Sequence, residues 1–342
     1  MDVLGSAYER FWTAEYWLPA GYTWETLSNT NSSTVVYPEP SEMAYSLALA
    51  PLMLGARLLL DACVFLPLAY YSGLCSLCLP SGVPLSTLMV GHARGGFASS
   101  SRLKKLLESA WHLSFYSLAL LFGALVLMDK PWLWDVVHCW RDYPHHHVDA
   151  GTRAYYLLQG AFYLAAFFAG VTTDTRRKDF WQLMAHHCVA LALLWVSWTI
   201  NLARVGALLL LSHDAADVLL HAGKLVRYSD LPAVWVNVIF ALFLACWVGT
   251  RLLYFPFVLI RSALFDAPSL IQRSYRWERL GQAPYVPRII VTLLLALLAL
   301  HVFWTAVIVK ILVVTATSGS ATDVRSDSDS DSETVDRNKK SQ

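Results

Sequence analysis

The chain has 342 residues, of which 56% are hydrophobic and 15% charged, with a mean hydropathy of +0.45. Soluble domains carry about 25% charged residues, so the composition excludes an ordinary soluble domain and predicts an all-α polytopic membrane protein. A net charge of +1 gives no electrostatic reason for a nucleic-acid partner, and 14 Trp with 16 Tyr suit the aromatic belts of a membrane protein.

Residues 1–44 form an amino-terminal segment without the basic cluster and long apolar stretch of a cleavable signal. Asn31 begins the triplet Asn31-Ser32-Ser33, a glycosylation acceptor where this end is lumenal. Seven spans are predicted, over residues 45–71, 111–128, 154–172, 183–200, 205–221, 233–259 and 289–314. The first contains Arg57 and Asp61, whose i, i+4 spacing predicts an ion pair on one helix face. Residues 45–100 hold this span and a cytosolic loop. Cys75 and Cys78 in that loop make a lone C-x-x-C. A structural zinc site needs four ligands, so free thiols and no metal are expected.

Loop charge orients the bundle. Arg94, Arg102, Lys104 and Lys105 precede the second span, Arg176, Arg177 and Lys178 follow the third, and Lys224 and Arg227 follow the fifth. These alternate loops share one side, which the positive-inside rule makes cytosolic. The amino terminus is then lumenal and the carboxyl terminus cytosolic. Residues 261–288 conflict with this, since a lumenal loop there carries Arg261, Arg273, Arg276, Arg279 and Arg288. Residues 316–342 form an acidic tail too polar to fold. Ser326, Ser328 and Ser330 each have an acidic residue three positions on, so phosphorylation is expected there. Lys339 and Lys340, fourth and third from the end, resemble a dilysine retrieval address of endoplasmic-reticulum membrane proteins.

The chemistry-bearing residues sit on the fourth and fifth spans. His186 and His187 open one apolar run, and His213, Asp214 and Asp217 lie in the next. Ionisable groups at membrane depth are costly and mark functional sites by default. His213, Asp217 and His221 are spaced i, i+4, i+8, with Lys224 three further on, so they form one stripe. The short turn from Asn201 to Arg204 makes the two spans antiparallel neighbours, which lets the histidines meet Asp217 about 5–10 Å below the cytosolic surface at 1.5 Å per residue. A histidine with a carboxylate partner suits proton abstraction or acyl acceptance. Histidines and aspartates bonded together as bundle glue remain an alternative on these residues alone. The histidine boxes of di-iron hydroxylases are absent.

Residues 174–224 resemble the Lag1 motif of the ceramide synthase family. The chain supplies Lys178-Asp179, His186-His187, Asn201, Arg204, Gly206, His213-Asp214, Asp217 and Lys224, and ESAWHLSFYSLAL at 108–120 is similar to the family's segment there. The resemblance covers residues 101–315, the TLC domain, and leans to the subgroup without a homeobox-like domain. Two departures are evident. His221 stands where the family has an acid, and Trp198 where it has a tyrosine.

The resemblance implies transfer of an acyl group from fatty acyl-CoA to sphinganine or sphingosine in the endoplasmic-reticulum membrane. It implies no cofactor, surrounding membrane lipid, and family members as dimer partners. His186, His187, His213, Asp214 and Asp217 are then the expected catalytic group, with Asp217 orienting a histidine. Arg176, Arg177, Lys178, Arg204 and Lys224 are the expected substrate-binding cations. In the family the loop corresponding to 261–288 sets acyl length, which singles out Leu264, Phe265 and Leu270. A non-catalytic TLC protein that binds or senses lipid, or associates with a translocon, is the alternative.

Overall fold

The computed structural model describes residues 2–29, 35–73, 82–95 and 101–318. Asn31, Cys75, Cys78, Ser326, Ser328, Ser330, Lys339 and Lys340 lie outside the described residues. Among the described residues there is no strand. Among the same residues seven helices are long and apolar enough to cross a membrane: α1 (Pro40–Ser72), α2 (Arg102–Leu127), α3 (Ala150–Thr172), α4 (Phe180–Thr199), α5 (Ala203–Tyr228), α6 (Ala233–Ile271) and α7 (Val286–Val313). In hydrocarbon every backbone polar group must be satisfied internally, which is why uninterrupted apolar runs of this length become helices. Each overlaps a predicted span to within one residue at its carboxyl end, apart from the fifth and sixth, and most begin earlier than predicted, because polar residues continue the helix beyond the apolar stretch.

Helix α5 packs along α2 and α6, α4 along α3 and α7, and α1 along α3. The ends are set by local chemistry. Asp149 caps α3, its carboxylate accepting from Thr152 N at 3.0 Å. Between α4 and α5, Asn201 adopts φ 58°, a left-handed conformation that Asn tolerates better than most residues. Its side-chain amide donates to the carbonyls of Pro144 and His146 at 2.8 and 2.9 Å, locking the turn onto the preceding loop.

The amino-terminal segment belongs to this Asn201 end of the bundle. Val148 N donates to Val36 O at 3.0 Å, Trp198 Nε1 to Glu39 O at 2.9 Å, and Tyr285 N to Tyr16 O at 2.9 Å. Trp12 and Trp17 stack at 5.2 Å and meet the edge of Trp195 from α4. Arg57 and Asp61 do pair, at 3.8 Å, but the closer partner of Arg57 is Asp174 at 2.6 Å. The buried arginine therefore ties α1 to the α3–α4 connection rather than merely satisfying its own helix.

One predicted boundary is corrected. The sixth span does not stop at 259: helix continues through Ile271, by way of π-wound turns over Val248–Ile260 and Ser262–Asp266. The arginines of the connection that follows are occupied locally. Arg288 donates to the carbonyls of Gln282, Arg276 and Arg279 at 2.7, 2.9 and 2.6 Å, and Arg276 to those of Arg273 and Tyr275. These guanidiniums brace a turn, a use of positive charge that the orientation rule does not weigh.

Candidate active site

At the end of the bundle that carries Lys224, a cavity of about 260 Å³ opens between α2, α4, α5, α6 and α7. Helix α4 supplies adjacent histidines to it. His187 is buried, its ring 6.0 Å from that of Tyr163. His186 lies 6.0 Å from Tyr163 and meets Trp304 of α7 edge-on at 5.6 Å. Trp304 is itself held by Asp179, whose carboxylate accepts its indole N–H at 3.1 Å. Helix α5 adds Asp217, His221 and Lys224, one stripe as the spacing predicted, and Arg177 stands at the rim 3.8 Å from Glu108. The structure thus brings together His186, His187, Asp217, Lys224 and Arg177.

Three expected residues fall elsewhere. Asp214 is fully buried and lines no cavity described here. Its carboxylate accepts from Tyr155 Oη at 2.9 Å and from Gln159 Nε2 at 2.5 Å, both on α3, so it fastens α5 to α3. Spacing of i, i+3 puts Asp214 near the face of Asp217, but at 3.6 residues per turn it is still offset by about 60°, and that offset turns it to Tyr155 and Gln159 of α3 instead of the cavity. His213 lies below the main cavity, 5.1 Å from His301 and 5.4 Å from Phe255. Arg204 is at the opposite end of α5, donating to the His138 carbonyl at 3.0 Å. Twenty residues separate it from Lys224, about 30 Å of helix at 1.5 Å per residue, so it cannot share the rim. Of the remaining expected cations, Arg176 and Lys178 are exposed beside the rim, with Arg176 5.1 Å above the Phe180 ring.

The expected histidine–Asp217 contact is also absent. Asp217 Oδ2 accepts from Arg251 Nη2 at 3.0 Å. The same guanidinium donates to the His213 carbonyl at 3.0 Å and to His301 Nε2 at 3.3 Å, and packs 5.4 Å over Trp247. This buried guanidinium was legible only as a lone arginine within an apolar run, the same signal that marks the aspartates. Helix α2 contributes a further stripe that spacing alone offered: Glu108, His112 and Tyr116, at i, i+4, i+8, all line the cavity. His112 stacks on His221 at 4.6 Å and 8°, so the histidine that replaces an acid has an imidazole partner.

Below the main cavity are two smaller apolar ones. The first, about 70 Å³, shares His186 with the main cavity and is lined by residues such as Tyr163, Leu194, Leu209 and Leu297. The next, about 80 Å³, shares Trp140, Leu202, Ala263 and Ile290 with it and reaches Ile271, Tyr275 and Trp277 at the Asn201 end. Trp140 is fixed there by Ser262, its indole N–H donating to Oγ at 2.7 Å. Leu264, Phe265 and Leu270, expected to cap an acyl cavity, are helical rather than in a loop and line neither cavity. Phe265 and Leu270 are 65% and 45% exposed. The neighbouring Ala263, Ala267 and Ile271 face inward instead.

Residues 105–310, which hold all but the outer ends of six of the seven helices and, Ile311 apart, the whole cavity wall, match the TLC domain family TRAM_LAG1_CLN8. Ceramide synthase hyl-1 of Caenorhabditis elegans is 42% identical over 93% of this chain and 83% of its own length, and ceramide synthase hyl-2 of the same organism is 37% identical over 93% of each. Human ceramide synthase 4 is 30% identical over 95% of this chain and 87% of its own. The chain belongs to the ceramide synthase family.

Proposed function

We propose that this chain acts as its family does, as an acyl-CoA-dependent sphingoid-base N-acyltransferase, with its reaction centre at His186. The observation that carries the assignment is that His186 lines both the main cavity, with its charged rim at the Lys224 end, and the apolar cavity beneath it. A thioester entering with its acyl chain downward and its CoA outward has its carbonyl at that junction. Arg177, Lys224 and Arg227 on the rim suit the phosphates of CoA. The apolar cavities suit a long acyl chain kept from water.

His186 has a buried Nδ1 without a hydrogen-bond partner, and Asp217 bonds Arg251 rather than either histidine. An imidazole without an orienting acid lacks the feature that defines a triad base, which favours His186 as acyl acceptor. In that route an imidazole nitrogen attacks the thioester carbon, the C–S bond breaks, and CoA leaves as the thiolate and takes up a proton. The sphingoid amine then attacks the acyl carbon, the bond to imidazole breaks, and an amide forms. His187 accepts the proton lost by the amine and passes it to the departing imidazole, restoring the proton that His186 gave up to the thiolate. No cofactor enters the sequence.

The rim then faces the cytosol, where acyl-CoA is supplied, and the amino terminus faces the lumen of the endoplasmic reticulum. This orientation leaves Asn31 open to glycosylation and Ser326, Ser328 and Ser330 to kinases. Family members are candidate dimer partners.

The test uses the purified full chain with a long-chain acyl-CoA and sphinganine. Quenched reactions lacking sphinganine should carry one acyl group on His186 by peptide mass spectrometry, and His186→Ala should remove both adduct and turnover. Full turnover by that variant would overturn the assignment. Turnover without an adduct would favour direct attack on the thioester. In intact microsomes, protease should remove a tag at residue 342 and spare one at residue 1.

A further inference from the structure

Arg251 belongs to none of the sequence motifs and sits deep in α6, 3% exposed, within the π-wound stretch Val248–Ile260. An unpaired charge at membrane depth is costly enough that such residues almost always pair and face the bundle interior. Arg251 does so with three partners at once: the Asp217 carboxylate, the His213 carbonyl and the His301 ring. Because a guanidinium only donates, the His301 Nε2 that faces it must carry the lone pair. His301 is therefore neutral, with its proton on Nδ1.

This arrangement is more than glue between α5 and α6. Asp217 lines the cavity. With Oδ2 turned to Arg251, Oδ1 is the oxygen left for a group inside it. A lone carboxylate at this depth would neutralise itself by taking a proton, whereas one paired with a guanidinium can stay ionised. A sphingoid base arrives as an ammonium and must be steered to the acyl carbon and then deprotonated. An ionised carboxylate lining the same cavity as His186 and His187 is the group that can hold it. Lysine could not substitute fully, since a point charge lacks the fork that reaches carboxylate and carbonyl together.

We propose that Arg251 is a positioning residue for acyl transfer, holding Asp217 ionised and aimed into the cavity so that it receives the amine substrate. This rests on the acyltransferase reading above.

The experiment uses full-length wild type, Arg251→Ala, Arg251→Lys and Asp217→Asn in nanodiscs, each checked for monodispersity. Arg251→Ala should lose about 100-fold in kcat, the scale of a misplaced reacting group, while KM for acyl-CoA moves less than about threefold. Added methylguanidinium should restore Arg251→Ala saturably and methylammonium should not, a response that a purely structural arginine would not give. Arg251→Lys, which covers the case in which the alanine variant does not fold, should keep acyl-CoA KM and lose about tenfold in kcat. Monodisperse Arg251→Ala or Arg251→Lys with wild-type kcat would overturn the proposal, as would equal restoration by both cations. Asp217→Asn separates the two levels. If it is inactive while Arg251→Ala is active, only the role of Arg251 fails; if it turns over normally, the reading of the cavity as the acylation site fails too.

Discussion

Replacing Ala263 by leucine should shorten the acyl chains this protein prefers. Ala263 is 7% exposed and lines both apolar cavities, so its methyl group stands at the neck between them. Leucine adds three carbons there. The neck lies far from the chemistry: from His186 to Leu202, another neck residue, α4 and its following turn cover 16 residues, about 24 Å at 1.5 Å per residue. That is most of the roughly 30 Å hydrocarbon thickness. A plug at this depth meets only the terminal carbons of a long chain.

Each methylene kept from an apolar site forfeits about 0.8 kcal/mol. At about 1.4 kcal/mol per tenfold, a two-carbon extension past the plug should lower kcat/KM about 15-fold relative to wild type. Chains ending before the neck should be unaffected. The assay is competition among even-numbered acyl-CoAs of increasing length, with products resolved by mass spectrometry. Phe265→Ala and Leu270→Ala serve as controls and should leave the profile unchanged, because both side chains point outward. An active Ala263→Leu protein with all length ratios within twofold of wild type would refute the reasoning. So would a uniform loss across lengths, which would report the roughly 1–3 kcal/mol cost of overpacking instead.

Asp217→Asn should fold normally and lose turnover, since the amide still offers Arg251 an acceptor; Asp214→Ala should instead lower the folded yield and the thermal midpoint, stranding Tyr155 and Gln159 at about 1–3 kcal/mol. Gly206→Ala should also destabilise by about 1–3 kcal/mol, because its Cβ would fall 2.3 Å from Tyr156 Oη; unchanged thermal unfolding would contradict the packing described. His146, buried at the Asn201 end with Nε2 donating to the Arg141 carbonyl, is driven down to about 4 by burial and then by Arg204. The unfolded chain, titrating near 6.5, binds the extra proton first, so the contribution is complete above pH 6.5 and falls away towards pH 4 by about 3 kcal/mol. His146→Gln should flatten the loss of thermal stability across that window, and a parallel slope would count against it.

The spans were legible because apolar length is the one property hydrocarbon demands of sequence, and each predicted span coincides with a helix of the bundle, three of them overrunning its end by one residue. What spacing could not give was partners across helices. The i, i+4 rule found the Arg57–Asp61 pair but not Asp174, which binds Arg57 more closely from another connection. It placed Asp217 on the correct stripe and gave it a histidine, whereas its partner is Arg251, 34 positions away on α6. Arg251 carried the same signal as the aspartates, an ionisable residue within an apolar run, and stood alone without a motif to draw attention to it. The 261–288 connection misled for a different reason. Its arginines conflicted with the alternation of loop charge, yet Arg276 and Arg288 close a turn on backbone carbonyls, and the apolar residues that precede it continue a helix.

The Lag1 pattern divides physically into two jobs set about 30 Å apart along α5. At one end, Asn201 makes the left-handed turn, Arg204 holds the His138 carbonyl, and Gly206 admits Tyr156 against the helix. None of these touches the main cavity. At the other, Asp179, His186, His187, Asp217 and Lys224 all line it. The two halves are rigidly coupled because α4 and α5 share the Asn201 turn, so the turn fixes how the α4 histidines register against the α5 carboxylate. Asp214 completes that register by fastening α5 to α3 midway. A substitution at the turn can therefore disturb the site by moving one helix along the other, with no contact to substrate. Such variants should lose kcat and stability together, whereas changes at the cavity wall should separate them.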